Sequence, residues 1–189
     1  YGAEFFVKKV VGKVNGWVGY TWSRTNRKFP DISNGKEFPS RWDRRHDLSV
    51  VLSYDVNKRW NIGATFVYAT GQAVTLAVNR YFVEGQLVSE YTSRNGYRMI
   101  PYHRLDLAAT RYGRTSKILK DPVTGETTEI PKKFTSSWTF SVYNAYNRSN
   151  PYFIYYSADG NPAAGTFQVQ AKQVSLFSIL PSITWNFKF

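Results

Sequence analysis

Cysteine is absent from this 189-residue sequence, and methionine occurs only once. The lack of cysteine excludes a disulfide framework, a cysteine-ligated zinc site and a cysteine nucleophile. No segment approaches the roughly 18 consecutive apolar residues that a membrane-spanning helix requires, so a helical membrane protein is excluded as well. The first residues also lack the basic and apolar regions of a secretory signal peptide, and none is expected here.

Acidic residues are scarce, with 13 Asp and Glu against 25 Lys and Arg, and the formal net charge is +12. The basic residues are spread over the chain rather than clustered on one stripe, so we expect no nucleic-acid partner. The basic excess has three other interpretations: contact with lipopolysaccharide phosphate, attraction of an anionic substrate, or an ordinary solvated surface. Aromatic residues, in contrast, make up 17% of the chain, and hydrophobic residues 42%. Such a chain is too apolar to be disordered.

Apolar and polar residues alternate along most of the chain, which is typical of β-strands. Between residues 46 and 56, for example, Leu48, Val50 and Leu52 alternate with Ser49 and Ser53. The pattern predicts an all-β chain with seven long strands and no helix. The predicted strands are residues 2–11, a strand around Trp17, residues 46–56, 59–71 and 103–112, a strand from Ser137, and a last strand in which Phe177, Ile179, Ile183, Trp185, Phe187 and Phe189 share one face.

The connections between these strands alternate between short and long. Short turns are predicted at Gly12-Lys13, at Asn57-Lys58, and at residues 121–125, where the flanking strands extend toward the turn. Long loops are predicted at residues 27–43, 72–102 and 147–172, the second with a hairpin of residues 74–82 and 87–91. This alternation is typical of outer-membrane barrels, which have short periplasmic turns and long extracellular loops.

The apolar faces of the strands fit either the core of a soluble protein or a surface in contact with lipid. The opposite faces carry Ser, Thr, Asn and Gly, which suit a wet or plug-filled lumen. Aromatic residues near the predicted strand ends fit interfacial belts; they are Tyr20, Trp22, Trp60, Tyr68 and Trp185. We therefore expect an antiparallel transmembrane β-barrel segment, and a soluble all-β binding module is the alternative.

Four runs of residues, in this order, resemble TonB-dependent outer-membrane receptors of the Bacteroidetes type. They are residues 42–48 (WDRRHDL), 102–107 (YHRLDL), 143–151 (YNAYNRSNP) and 175–189 (SLFSILPSITWNFKF). The resemblance implies a barrel of about 22 strands that is closed by an N-terminal plug. Residues 1–189 would then be the C-terminal part of the barrel domain, with the plug outside this chain. Bacterial single-chain barrels have an even number of strands. The odd number predicted here therefore indicates either that the chain is part of a longer polypeptide or that one strand is not recognised.

The resemblance also implies a function, namely TonB-dependent transport of a ligand into the periplasm across the cell outer membrane. This chain would supply barrel wall and extracellular loops. The implied partners are the remainder of the receptor with its plug, the TonB complex, outer-membrane lipids and lipopolysaccharide, and a surface lipoprotein. The terminal residues Trp185, Phe187 and Phe189 are similar to the signal read by the barrel-assembly machinery. A small structural or adhesive barrel without transport is the alternative.

Ligand or partner contacts are expected in the loops. The candidates are Arg44 and Arg45 in the charged run 43–47, and the aromatic residues Tyr152, Phe153, Tyr155 and Tyr156. Both groups also have a structural interpretation. A charged run at the start of a strand often forms ion pairs that order the preceding loop. An aromatic run often packs within its own loop, since it would otherwise be an exposed apolar patch.

Neither catalysis nor a metal site is expected. His46 and His103 have no Glu or His partner at ligand spacing, which favours a structural or interfacial role over metal binding. Ser49 lies near His46 and Asp47, but period-two alternation places neighbouring residues on opposite faces, which separates a nucleophile from its base. The sequence therefore predicts no enzyme and no cofactor.

Overall fold

The computed structural model describes residues 1–91, 93–120, 122, 125–160, 164–166 and 168–189. This part of the chain is all-β, with a short 3-10 turn at Ser33–Gly35. Among the described residues, none belongs to a helix long and apolar enough to cross a bilayer. The strands are β1 (Gly2–Lys9), β2 (Val14–Ser23), β3 (Asn26–Arg27), β4 (Phe38–Pro39), β5 (His46–Asn57), β6 (Trp60–Ala69), β7 (Ala73–Val74), β8 (Asn79–Val83), β9 (Gln86–Glu90), β10 (Tyr97–Arg98), β11 (Tyr102–Tyr112), β12 (Ser116–Lys120), β13 (Thr127–Pro131), β14 (Thr135–Tyr143), β15 (Phe153–Asp159), β16 (Gln168–Val174) and β17 (Leu180–Lys188).

Seven long strands form one antiparallel sheet in the order β1-β2-β5-β6-β11-β14-β17. Each strand pairs with the strand before it in this order, so the sheet is a simple meander. The prediction of seven long strands is therefore confirmed. The sheet is open, with β1 and β17 as its two edges, so the described residues do not close a barrel by themselves.

In the meander, successive connections lie alternately at the two opposite ends of the sheet. One end, here called the loop end, carries residues 24–45 (loop 1), 70–101 (loop 2) and 144–179 (loop 3). The other end, here called the turn end, carries residues 10–13 and 58–59 and the connection between β11 and β14. The hairpin predicted in the second loop is present as β8 and β9.

The third connection at the turn end is longer than a tight turn. The strands β12 and β13 form a separate two-stranded sheet beyond β11 and β14, in line with the predicted extension of the flanking strands. Within the predicted turn at residues 121–125, Asp121, Val123 and Thr124 lie outside the described residues.

Cross-strand pairing gathers most of the large apolar residues on one face of the sheet, here called the apolar face. One row of paired residues runs Leu52, Ala64, Leu107, Val142 and Pro181. The neighbouring row toward the turn end runs Tyr54, Ile62, Ala109, Phe140 and Ile183, and the next runs Trp60, Arg111, Trp138 and Trp185. Because side chains alternate along a strand, the intervening residues form a second face, here called the polar face.

The apolar face is not covered by any described part of the chain. Ile183 is 65% exposed, Phe140 46% and Leu107 42%. Among the described residues, the buried hydrophobic side chains are those of Phe38, Ala69, Ala73 and Met99, all of which lie at or next to the loop end. The sheet therefore does not use its apolar face as the core of a packed domain.

The last strand starts later than the sequence pattern suggested. Phe177 and Ile179 were predicted to share a face with Ile183, but β17 begins at Leu180. Its neighbour β14 ends at Tyr143, and the chain turns at Asn144, which has a positive φ of 54°. No pairing partner therefore exists for Phe177 in the sheet, and its ring packs edge-on against Tyr143 with a centroid distance of 6.2 Å.

Loop 3 contains a hairpin that the sequence analysis did not predict. The strands β15 and β16 pair from Phe153 opposite Val174 to Asp159 opposite Gln168. The run from Phe153 to Tyr156 is apolar or aromatic at every position, so the period-two signal that marks a strand is missing there.

Candidate functional site

The loop end is organised around a buried carboxylate, that of Asp43, whose exposed fraction is 0%. Its Oδ1 accepts a hydrogen bond from the Thr25 backbone N–H at 2.6 Å. Its Oδ2 lies 3.2 Å from Arg45 Nε and 2.5 Å from Arg98 Nη2. The expected ion pairing at the start of β5 is therefore confirmed, and its centre is Asp43.

Arg98 joins loop 2 to loop 1 through this carboxylate. Its Nη1 also donates to the backbone carbonyls of Asp43 at 2.7 Å and Gly71 at 3.0 Å. A second bond between the loops runs from Asn95 Nδ2 to the Pro39 carbonyl at 2.9 Å. Gly71 lies so close to the backbone of Met99 that a Cβ there would come within 1.7 Å of the Met99 carbonyl oxygen. The polar contacts thus fix loop 1 to loop 2, and the close approach of Gly71 to Met99 packs the two ends of loop 2 against each other.

The environment of Asp43 keeps this carboxylate charged. Burial on its own raises the pKa of a carboxyl group, but here the hydrogen bonds from Thr25, Arg98 and Arg45 lower it by more. The net result is a pKa below the ordinary value of 3.8. Asp43 therefore remains an anion at neutral pH and balances the guanidinium groups of Arg45 and Arg98.

A second network fixes the start of loop 3 to the sheet. Arg104 Nε and Nη2 approach Asp106 Oδ2 at 2.9 Å and 2.8 Å, and Arg104 Nη1 donates to the hydroxyls of Tyr102 and Tyr143 at 2.8 Å and 2.7 Å. The other carboxylate oxygen of Asp106 accepts the backbone N–H of the buried Asn144 at 2.9 Å. The turn after β14 is therefore anchored to β11.

The three loops meet around a groove of about 600 Å³ at the loop end. Its volume lies within the range of about 300–1,000 Å³ that is usual for small-molecule sites. The lining residues are Arg41, Trp42 and Arg44 from loop 1, Thr70, Gly71, Gln72, Met99 and Ile100 from loop 2, Tyr102 from β11, and Pro151, Tyr152 and Phe153 from loop 3. We call this feature the loop groove.

Three of the six predicted loop contacts line the loop groove, namely Arg44, Tyr152 and Phe153. The other three do not. Arg45 is directed to Asp43. Tyr155 lies beside Phe153 with a centroid distance of 6.1 Å. Tyr156 donates its hydroxyl to the Ala77 carbonyl at 2.8 Å, and the Arg80 guanidinium covers its ring at 4.0 Å.

Trp42 is a lining residue that the sequence analysis did not select. Its side chain is 67% exposed, and the Arg41 guanidinium lies 5.7 Å from the centre of its ring system. Its position directly before the charged run 43–47 was the available signal, because an aromatic residue beside arginines is a common component of binding surfaces. The loop groove thus presents aromatic surfaces together with guanidinium groups.

Both histidines lie on the apolar face and contact tyrosines. His46 Nδ1 shares a hydrogen bond of 2.7 Å with the Tyr20 hydroxyl, and His103 Nδ1 shares one of 2.7 Å with the Tyr146 hydroxyl. Within the described residues there is no group of three or more His, Cys, Asp or Glu that could hold a metal ion. The described geometry of both histidines is that of hydrogen-bonded aromatic residues near the loop end.

The residues predicted as an assembly signal lie at the end of the edge strand β17 and beyond it. Trp185 stacks with Trp138 at 5.9 Å, and its ring lies 4.7 Å from that of Phe187. Phe187 in turn stacks with Phe189 at 6.0 Å. These residues form a continuous, largely exposed aromatic row at the turn end.

Comparisons of the chain with protein-family models, with curated proteins and with solved structures find no match.

Replacement of Asp43 by Asn is expected to loosen loops 1 and 2. Removing one partner of a buried ion pair typically costs about 3–5 kcal/mol, and the partial exposure of Arg45 and Arg98 places the effect at the lower end. Trypsin should then cleave loop 1 several-fold faster. The exposed Asp31 provides a matched control, because Asp31→Asn makes the same chemical change in the same loop. Equal cleavage rates for the two variants would contradict the assigned role of Asp43.

Proposed function

We propose that this chain is part of the barrel wall of a TonB-dependent outer-membrane receptor, which transports a ligand into the periplasm. The chain supplies seven wall strands and three extracellular loops. The observation that carries the proposal is the seven-stranded meander, with one exposed apolar face and one polar face. Water is a poor solvent for such an extended apolar face, whereas the hydrocarbon of a bilayer suits it.

The dimensions of the apolar face support the proposal. Trp60 and Tyr68 lie at the two ends of the apolar face of β6, eight residues apart. At about 3.3 Å per residue this distance is about 26 Å along the strand. With a tilt of about 40° it spans about 20 Å of membrane thickness, close to the apolar band of about 25 Å in outer-membrane barrels.

Aromatic residues mark both borders of this band. Trp60, Trp138 and Trp185 lie near the turn end, and Trp22 and Tyr68 lie near the loop end. Between these borders, the paired residues on the apolar face are mostly aliphatic. Belts of Trp and Tyr at the two interfaces, with aliphatic residues between them, are typical of membrane barrels.

The polar face supports a lumen filled with water or with a plug. Its hydroxyl and amide groups bond to each other between strands, as in Thr110 with Thr139 at 3.0 Å and Ser141 with Ser182 at 2.7 Å. Asn61 Nδ2 donates to Ser53 Oγ at 2.7 Å in the same way. Small hydrogen-bonding side chains satisfy each other and leave room for a plug against the wall.

The two open edges of the sheet require neighbours in a membrane. Unpaired backbone groups cost several kcal/mol each in hydrocarbon, so membrane strands occur in closed barrels. We therefore propose that β1 and β17 pair with the remaining strands of the receptor. The plug and the contact with the TonB complex belong to that remainder, while the loop groove faces the outside and receives the ligand or a surface lipoprotein.

The mass of the native polypeptide tests the transport function. A receptor with a plug and about 22 strands requires a polypeptide several times longer than 189 residues. Intact-mass measurement of the protein extracted from outer membranes is expected to give such a value. A mass near 21.8 kDa would instead favour a small structural or adhesive barrel.

Cysteine substitution tests which face contacts lipid, because residues 1–189 contain no cysteine of their own; any cysteine elsewhere in the full-length protein is first replaced by serine. Ala64→Cys places a spin label at the middle of the apolar face, and Thr65→Cys places one on the polar face next to it. In the reconstituted full-length protein, the ratio of collisions with oxygen to collisions with a water-soluble nickel complex is expected to be higher at residue 64. An equal or reversed ratio would contradict the facing of the sheet.

A lysine substitution tests the same facing through stability. Leu107→Lys puts a charge on the central part of the apolar face, where contact with lipid makes it cost about 2–4 kcal/mol. The neighbouring Ala108→Lys lies on the polar face and is expected to cost less than about 1 kcal/mol. Urea unfolding of the full-length protein in lipid vesicles provides the measurement. Similar losses of stability for both variants would be inconsistent with a lipid-facing Leu107.

A further inference from the structure

Basic side chains surround the turn end of the sheet. The first turn is flanked by Lys9 on β1 and Lys13, and the second consists of Lys58 and Arg59. All four residues are exposed. The pairing of β2 with β5 makes the two turns neighbours at the turn end of the sheet.

The cationic series continues across the remaining strands. Arg111 and Arg114 lie at the end of β11, Lys132 and Lys133 precede β14, and Lys188 ends β17. Since β11, β14 and β17 are neighbours, basic residues occur at the turn end of the sheet from β1 to β17. We call this feature the basic collar.

The cations of the basic collar differ from those of the loop end in their lack of counter-charges. In the described part of the chain, the ion pairs are all at the loop end, as in Arg98 with Asp43 and Arg104 with Asp106. Asp55, the carboxylate on β5 nearest the turn, instead accepts a hydrogen bond from Asn61. The described residues therefore leave the positive charge of the collar uncompensated within ion-pair distance.

The collar lies next to the aromatic border of the apolar face. Arg111 is itself on the apolar face, and its guanidinium lies 6.0 Å from the centre of the Trp60 ring system. In the same cross-strand row are Trp138 and Trp185. Trp rings at a membrane border sit at the level of the lipid headgroups, and a long cationic side chain beside them reaches the same level.

We propose that the basic collar binds the headgroup phosphates of anionic phospholipids in the periplasmic leaflet. This inference rests on the proposed function, which directs the turn end to the periplasm. Charge complementarity at one end of the sheet supports the proposal: cations near the strand ends, outside any ion pair of the described residues, meet a layer of phosphates at the border of the apolar band. A basic surface that only contacts water would not need the exposed row of Trp60, Trp138 and Trp185 beside it.

Bromine-labelled lipids test the collar because bromine quenches tryptophan fluorescence on contact. The full-length protein is placed in nanodiscs of phosphatidylcholine that contain either brominated phosphatidylglycerol or brominated phosphatidylcholine. Trp60, Trp138 and Trp185 report contact near the collar. We expect phosphatidylglycerol to be preferred about fivefold or more at low salt, and the preference to decrease as salt screens the charges.

The matched variants remove four charges from each end of the sheet. The collar variant carries Lys58→Gln, Arg59→Gln, Lys132→Gln and Lys133→Gln. The control variant carries Arg24→Gln, Arg27→Gln, Lys28→Gln and Lys36→Gln, which are exposed residues of loop 1. The collar variant is expected to lose most of the preference for phosphatidylglycerol, and the control variant to retain it. Retained quenching by brominated phosphatidylcholine verifies that each variant is inserted.

The outcomes separate the collar from the proposed function. Equal quenching by the two lipids in the native protein, or an unchanged preference in the collar variant, would overturn the collar and leave the membrane placement intact. Quenching by neither lipid would contradict the membrane placement, and the collar with it.

Discussion

The antiparallel register of the seven long strands is the constraint on which the other features depend. Side chains alternate along each strand, so the register decides which residues share a face. A slip of one residue between β6 and β11 would move Asp106 and Thr110 to the apolar face and Leu107 to the polar one. With the observed register, apolar rows continue from strand to strand, and hydroxyl groups meet hydroxyl groups. The same ladder also brings the three loops to one end of the sheet.

At the loop end, the topology brings distant parts of the sequence together, and buried charges then fix their positions. Arg98 and Asp43 are 55 residues apart, yet their ion pair joins loop 1 to loop 2. Arg104 and Asp106, both on β11, hold the start of loop 3 against the sheet through Asn144. The loop groove lies among these anchored segments, so its shape depends on both networks. A groove of this kind is preformed, which reduces the ordering cost of binding a ligand.

The sequence pattern predicted the seven long strands because most of them are apolar on one face and polar on the other. The prediction failed where this contrast is missing, as in Phe153–Asp159, whose first residues are apolar or aromatic on both faces. It also extended β17 to Phe177, because alternation alone cannot show where the partner strand ends. In the candidate site, Arg44, Tyr152 and Phe153 were predicted to contact a ligand or partner. Arg45 had the same predicted role as Arg44. Only the fold reveals that Asp43 is buried and that Arg45 is directed to it.

Among the described residues, basic side chains form ion pairs at the loop end of the sheet but not at the turn end. This difference follows from the different lengths of the connections at the two ends. At the loop end, guanidinium groups contact carboxylates at fixed geometry, because the backbone of long loops must be held in one arrangement. At the turn end, short connections such as Lys58 and Arg59 are fixed by the strands themselves, so ion pairs are not needed to order them. Cations at that end are therefore available to a mobile partner. A partner of opposite charge beside the aromatic border of an apolar band is what the phosphate layer of a membrane provides.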